Sequence, residues 1–434
     1  MAVYDIHAGE DLYTRLQMLQ PGDTVTVHAG TYTTPGFYEV TWAGTAAQPI
    51  TIQAATGERV ILQGTPDQNV INIAGSYFTL DGFEIEGGSH GLRLKQVANA
   101  TISNNTLHDL GDVGISCNFE INCDALTIRH NEIYDTGHAG TGEGMYLGCN
   151  DGSCTLTNSL VVNNYVHDTG GDQGDGIEIK LNSWGNTVAD NVIVRSNYPG
   201  ITMYGITGTH PRNVVERNLV WHAKSDNGIQ VAGQITVVNN VVIDSKTNGI
   251  QSKATPGILS SDVIIAFNTI IGAGAVCLKT NDWASGTNQI LANNALACAT
   301  AMDVNGGAGG GAVIDNNRAG TAADVTDANA GNAYPAPGSA LIDHATAAYA
   351  VTEDFNAMPR AGALDIGAYE VTSATNPGWI PVEGFKDPLP VTGDNPIGSP
   401  GDDSAPSTSS SGGGCCDTSG SKSNALLALT LAAL

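Results

Sequence analysis

Eight segments read as one motif written repeatedly: ISNNTLHDL (102–110), IRHNEIYDT (128–136), VVNNYVHDT (161–169), VADNVIVRS (188–196), VERNLVWHA (215–223), VVNNVVIDS (237–245), IAFNTIIGA (265–273) and LANNALACA (291–299). Each carries asparagine at its fourth position, and those asparagines follow one another at 26, 33, 27, 27, 22, 28 and 26 residues. Between them a second motif recurs, always opening on glycine: GLRLK, GISCN, GMYLG, GIEIK, GITMY, GIQVA and GIQSK. A unit of this length holds at least two short alternating strands and has no room for a long helix. It cannot bury its own apolar face. Stacking does so, each coil hydrogen-bonding to the next at about 4.8 Å. The pattern predicts an all-β solenoid, a right-handed parallel β-helix, with the asparagines stacked as an amide ladder inside one bend. A propeller would need antiparallel blades, and leucine-rich repeats would need leucines at fixed places that are absent here.

The ends fit that architecture. GEDLYTRLQML (9–19) sets Leu12, Leu16 and Leu19 at helical spacing, which predicts a short N-terminal helix capping the first coil. DFNAMPRAGALDIGAYEV (354–371) resembles the closing segment of secreted β-helix proteins. The β-helix domain is expected over 1–371, a Pro/Gly/Ser-rich linker over 372–414, and a tail over 415–434. The tail, CCDTSGSKSNALLALTLAAL, resembles the myxobacterial type of C-terminal sorting signal without its basic end. Its apolar run is too short to span a bilayer. MAVYDIHAGEDLY at the N-terminus has neither the basic nor the apolar region of an export signal. The expected location is secreted or cell-surface (outer membrane), with anchoring by the tail, and the expected state is a monomer.

Composition narrows the partners. With 17 Lys+Arg against 43 Asp+Glu the net charge is −26, which argues against nucleic acid. It also disfavours a polyanionic substrate unless a local basic patch or a bound cation reverses the field. Among eight cysteines, Cys117/Cys123 and Cys149/Cys154 lie close enough to close short disulfide loops, and no Cys/His spacing suits zinc. That usage favours an oxidising compartment.

Because coils stack, equivalent positions form columns. The first outward position after each repeated glycine carries Arg93, Ser116, Tyr146, Glu178, Thr202, Gln230 and Gln251. Two residues on come Lys95, Asn118, Gly148, Lys180, Tyr204, Ala232 and Lys253; just ahead of the glycine stand Glu143 and Asp175. One sheet thus gathers acids, tyrosines and a notable share of the few cations. Such a face suits β-elimination on a uronate-containing, acidic polysaccharide. The C5 proton of a uronate becomes removable once its carboxylate is neutralised by a metal ion or cationic donors. Lys180 is the expected base and Tyr204 the acid or second base. Glu143, Asp175 and Glu178 are expected to share Ca²⁺, whose ligands are hard oxygens. Tyr146 and Trp184 are expected to offer sugar-stacking surface, with Arg93, Lys95 and Lys253 on the anionic chain. Lys180 and Tyr204 are both expected outside the core.

Segments GEGMYLG (142–148) and GIEIKLNSWGNTVADNVI (176–193) resemble the chondroitinase B and alginate lyase family of β-helix polysaccharide lyases. The resemblance implies Glu143 and Glu178 as calcium ligands and Lys180 as base. Two features depart from it: Glu178 and Lys180 are only two residues apart, and Tyr204 stands near the place of an expected arginine. The alternatives are a C5-epimerase or glycoside hydrolase on the same fold, or a non-catalytic glycan-binding or adhesin protein of the cell surface.

Overall fold

The computed structural model describes residues 1–387 apart from 120, 256 and 306; most of the expected linker, the tail and its Cys415–Cys416 pair lie outside the described residues. Three long parallel sheets wind about one axis as a right-handed parallel β-helix. The first runs from Val3–Ile6 to Val313–Asp315, the second from Gly30–Thr33 to Arg318–Ala319, and the third from Glu39–Ala43 to Met302–Val304. A single coil shows the order: Ile177–Ile179 in the third sheet, Thr187–Ala189 in the first, Val192–Val194 in the second. Register keeps like residues in line. Ile177 lies opposite Met145 and Ile201, Val188 opposite Val161 and Val215, and Ile193 opposite Val166 and Val220. These inward columns are fully buried and form the core.

The corner between the first and second sheets explains the asparagine repeat. The residue before each ladder asparagine is left-handed: Asn104, His130, Asn163, Asp190, Arg217, Asn239, Phe267 and Asn293 all have φ between 52° and 56°. Asn and Asp tolerate that conformation best, which accounts for the recurring NN and DN pairs. His130, Arg217 and Phe267 depart from that preference, and the Arg360 guanidinium lies 4.5 Å from the buried Phe267 ring. The ladder asparagine then turns inward. Asn191 donates through Nδ2 to Val161 O at 2.8 Å and to Asn218 Oδ1 at 3.0 Å, and Asn218 repeats this toward Val188 O and Asn240. Similar links run from Asn105 to Asn317.

Helix Leu12–Gln17 sits over the first coil as expected, with Leu12, Leu16 and Leu19 buried and Asp11 accepting from Thr14 N at its start. Disulfides join Cys117–Cys123, Cys149–Cys154 and Cys277–Cys298. The C-terminal part is placed less simply. Segments after Val325 lie along the outer face of the second sheet, where Val192, Val194, Leu219, Val241 and Ile243 pack against Phe355, Ile366, Tyr369 and Trp379. Strands there are apolar on both faces, hence VIV and VVI in place of alternation. Residues 372–387, placed in the linker by composition, are laid against the solenoid. Lys386 is buried and donates to Asp190 Oδ1 at 2.9 Å, Arg217 O at 2.7 Å and Phe355 O at 2.6 Å, while Phe385 stacks on His130 at 4.0 Å.

Asn218→Ala is expected to lower stability by roughly 3 kcal/mol or more, because it strands the Asn191 N–H and the Val188 carbonyl in a dry interior. Urea unfolding followed by circular dichroism measures it; a change under about 0.5 kcal/mol would show that the ladder is ornamental.

Candidate functional site

Seven successive strands of the third sheet, from Leu92–Ala98 to Ile250–Lys253, follow a glycine for a steric reason. A Cβ on Gly144 would lie 2.6 Å from the Gly176 carbonyl oxygen, and one on Gly176 2.5 Å from that of Gly200. With side chains excluded there, coils close up and the columns run true. Arg93, Ser116, Tyr146, Glu178, Thr202, Gln230 and Gln251 are paired in register in that order. Ile179 faces Met203, so Lys180 and Tyr204, the next residue of each strand, stand on adjoining coils.

Here the acids are sunk below the surface. Glu143, Asp175, Glu178 and Lys180 are 0%, 2%, 4% and 5% exposed. This corrects the expectation that Lys180 lies outside the core. Coils only about 4.8 Å apart let outward side chains shield one another, and the Tyr146 ring stands 4.7 Å from the Lys180 ammonium. Tyr204 is half-buried. Lys180 is ion-paired with Glu178 Oε1. Asp175 Oδ1 accepts from Thr202 Oγ1 at 2.6 Å. Glu178 Oε2 and Glu143 Oε1 are buried without a partner.

Burial therefore governs protonation. It pushes the Glu143 carboxyl up to about 7, with Glu178 and Asp112 adding to the shift. Burial raises Asp175 well above the usual carboxylate range, helped by Glu178, and raises Glu178 against the pull of Lys180. It likewise raises Tyr146 and Tyr204, with Glu178 adding to both, so both stay phenols. Tyr204 Oη also accepts a hydrogen bond from Gln230 Nε2.

A polar chain leads away from Glu143. Thr141 Oγ1 lies 2.6 Å from Glu143 Oε2 and 3.0 Å from Asp112 Oδ1. One hydroxyl has one proton to give. Burial pushes Asp112 up, yet His90, Thr141 and the Gly142 N–H hold it well below the usual range, so when Glu143 is protonated Thr141 can turn its proton to Asp112, and when Glu143 is ionised the two carboxylates compete for it. Asp112 Oδ2 then meets His90 Nε2 at 3.3 Å, and His90 Nε2 lies 3.4 Å from Arg93 Nη2.

The remaining expected residues divide. Lys253 joins the cluster, its ammonium 5.9 Å from the Tyr204 ring and its pKa lowered by burial. Trp184 lies past the turn that follows Lys180, bridged in parallel to Thr157, and stacks on His210 at 5.1 Å. Arg93 and Lys95 stand three coils from Glu178, about 14 Å along the sheet. There they line a separate cavity of about 300 Å³. His90 stands in the same column ahead of the repeated glycine as Glu143 and Asp175, whereas sequence reasoning passed over Asp112 and Thr141, which lie in loops without periodicity. Thr202 and Gln230 were visible in the column but carry no charge.

Orphaned, buried oxygens on Glu143 and Glu178 are hard ligands that suit calcium. The spacing of Glu143, Asp175 and Glu178 is looser than in two other groups. Among the described residues, Glu84–Glu86–His108 and Asp109–Asp135–His138 each bring three ligand atoms within 4.8 Å. Glu84 is already held by Arg59 at 2.6 Å.

A family model described as "right handed beta helix region" matches residues 61–193. No curated relative matches the chain in sequence. Among solved structures, pectate lyase Pel9A is similar with a TM-score of 0.52 and 14% identity, over 85% of this chain and 96% of that one. The Dettilon tailspike protein gives 0.50 and 13% identity, over 70% of this chain and 63% of its own. An alginate lyase from Paenibacillus sp. FPU-7 gives 0.48 and 18%, over 73% and 99%. At these identities the likeness is one of fold.

The raised carboxyls set a pH dependence. Between the ordinary value of 4.5 and about 7 the folded chain holds a proton on Glu143 that the unfolded chain releases, so stability falls as pH rises through that window and then levels. Glu143→Gln is expected to raise the melting temperature at pH 8 and leave it unchanged at pH 4. Equal shifts at both pH values would show that Glu143 titrates normally.

Proposed function

We propose that this chain is an exported lyase that cleaves uronate-containing polysaccharide by β-elimination. The observation that supports it is the meeting of Tyr146, Lys180 and Tyr204 on adjoining coils of one sheet, above three buried carboxyl groups. Lys180 takes the C5 proton. Glu178, its ion-pair partner, then holds the ammonium that forms. Tyr204, kept a phenol by burial, gives its proton to the departing glycosidic oxygen, and the Gln230 amide on its oxygen directs that hydroxyl. Lys253, beside Tyr204, supplies positive charge for the sugar carboxylate. Glu143, Asp175 and Glu178 would hold Ca²⁺. When bound, that ion supplies further neutralisation of the uronate carboxylate.

Three disulfides support an oxidising, extracellular setting. Among the described residues no helix is long and apolar enough to cross a membrane. Attachment through the tail belongs to the same proposal and concerns residues outside the described ones.

One observation favours a second reading, a β-helix that binds glycan without cleaving it: Lys180 is only 5% exposed, poorly placed to reach a sugar unless Tyr146 moves aside.

Ultraviolet absorbance of the unsaturated product separates the two. Wild-type protein is expected to generate it from at least one of alginate, pectate or a glycosaminoglycan. Lys180→Ala is expected to lose at least about 10²-fold in rate, and Tyr204→Phe a similar amount. Absence of signal from every polymer, with and without calcium, would overturn the lyase reading. Changed sugar composition without cleavage would point to epimerisation, and new reducing ends without absorbance to hydrolysis.

A further inference from the structure

The cavity at the N-terminal end of the third sheet is built on different terms from the acid cluster, and we propose that it is a distinct recognition site for a carboxylate-bearing sugar unit. Its floor is Arg93 and Lys95, three coils from Glu178, with Asn72 one coil further, and its volume of about 300 Å³ is that of a small ligand pocket. One wall comes from the loops that precede successive strands, Phe37, Asp67–Asn69 and Ser89. The other is Phe119, in the loop closed by the Cys117–Cys123 disulfide.

Three features specify the occupant. The first is charge: in a chain with 17 cations against 43 acids, two cations share this floor. Lys95 is held by Glu39 Oε2 at 2.5 Å, and Arg93 Nη2 by Asn118 Oδ1 at 3.1 Å. The second is an unmet bond. Arg93 Nε is buried with no acceptor, a donor whose desolvation goes uncompensated until an anion arrives. The third is apolar surface. Phe37 and Phe119 are 65% and 44% exposed, an unusual state for large rings and the flat surface on which a pyranose face packs. The guanidinium and the ammonium brace Phe119 from 5.5 and 5.6 Å. Around them, the Gln68 amide and the Ser89 hydroxyl offer both donors and acceptors to sugar hydroxyls, while Asn69 and Asn72 are bonded to each other and brace the floor. Asp67 on the rim disfavours a multiply charged anion such as phosphate, leaving a singly charged carboxylate as the better match.

The ligand class rests on the glycan reading above, but recognition here needs no catalysis. The test titrates the full chain calorimetrically with trisaccharides of galacturonate, mannuronate and glucuronate, and with a neutral galactose trisaccharide. At least one uronate trisaccharide is expected to bind, and the neutral one at least about tenfold more weakly. Arg93→Ala is expected to weaken uronate binding about tenfold or more, and Phe119→Ala several-fold, with melting temperatures confirming that both variants fold. Should Arg93→Ala alone misfold, Phe119→Ala and the neutral sugar decide. Equal binding of neutral and acidic sugars, binding indifferent to Arg93 and Phe119, or no binding at all would overturn the proposal. Binding without any unsaturated product would overturn the lyase reading and leave this site standing; unsaturated product without trisaccharide binding would do the reverse.

Discussion

The buried amide ladder is the constraint from which the rest follows. An asparagine that both donates to and accepts from its counterparts one coil away has a single useful position, so every coil must present that corner at the same height. Once the corner is fixed, the strands on either side pair in register and their side chains fall into columns. Variation is pushed elsewhere. The longest spacing, 33 residues from Asn131 to Asn164, contains both the loop that delivers Thr141 and Glu143 and the disulfide loop Cys149–Cys154. A rigid scaffold with variable loops is where site residues are normally housed.

Electrostatically, the third sheet works against the fold. Three carboxyl groups and a lysine lie in a layer that water barely reaches, and two carboxylate oxygens there have no partner. A surface selected only for stability would not keep them. Their protons connect by contact to the neighbouring cavity through Thr141, Asp112, His90 and Arg93. Acid cluster and cationic pocket therefore share one polar seam across the same face.

The fold was legible because its two signals, Asn at one corner and Gly at the head of one strand, repeat through the central coils. The columns were legible for the same reason: identical register turns sequence spacing directly into neighbourhood. Depth was not. Alternation places Glu178 and Lys180 on the outer side of their strand but says nothing of Tyr146 lying over them. Loops were equally opaque, which is why Asp112 and Thr141 went unread. Composition misplaced the start of the linker. Pro and Gly at Pro377, Gly378 and Pro381 look like spacer, while Trp379 and Lys386 between and beyond them are buried contacts.

Those contacts alter how the solenoid holds together. In a stack where each coil touches only its neighbours, unfolding can proceed link by link from either end. Here the C-terminal segments run lengthwise beside the ladder corner and tie coils at Asn163, Asp190, Arg217, Asn239, Asn293 and Asn316 to one strap. The coils carrying Glu178, Lys180 and Tyr204 fall inside that bracket and must rise or fall as a block. Those carrying Phe37, Asn72 and Arg93 fall outside it. The molecule is thus one stiff segment and one that can breathe a coil at a time, with the cationic cavity on the breathing part.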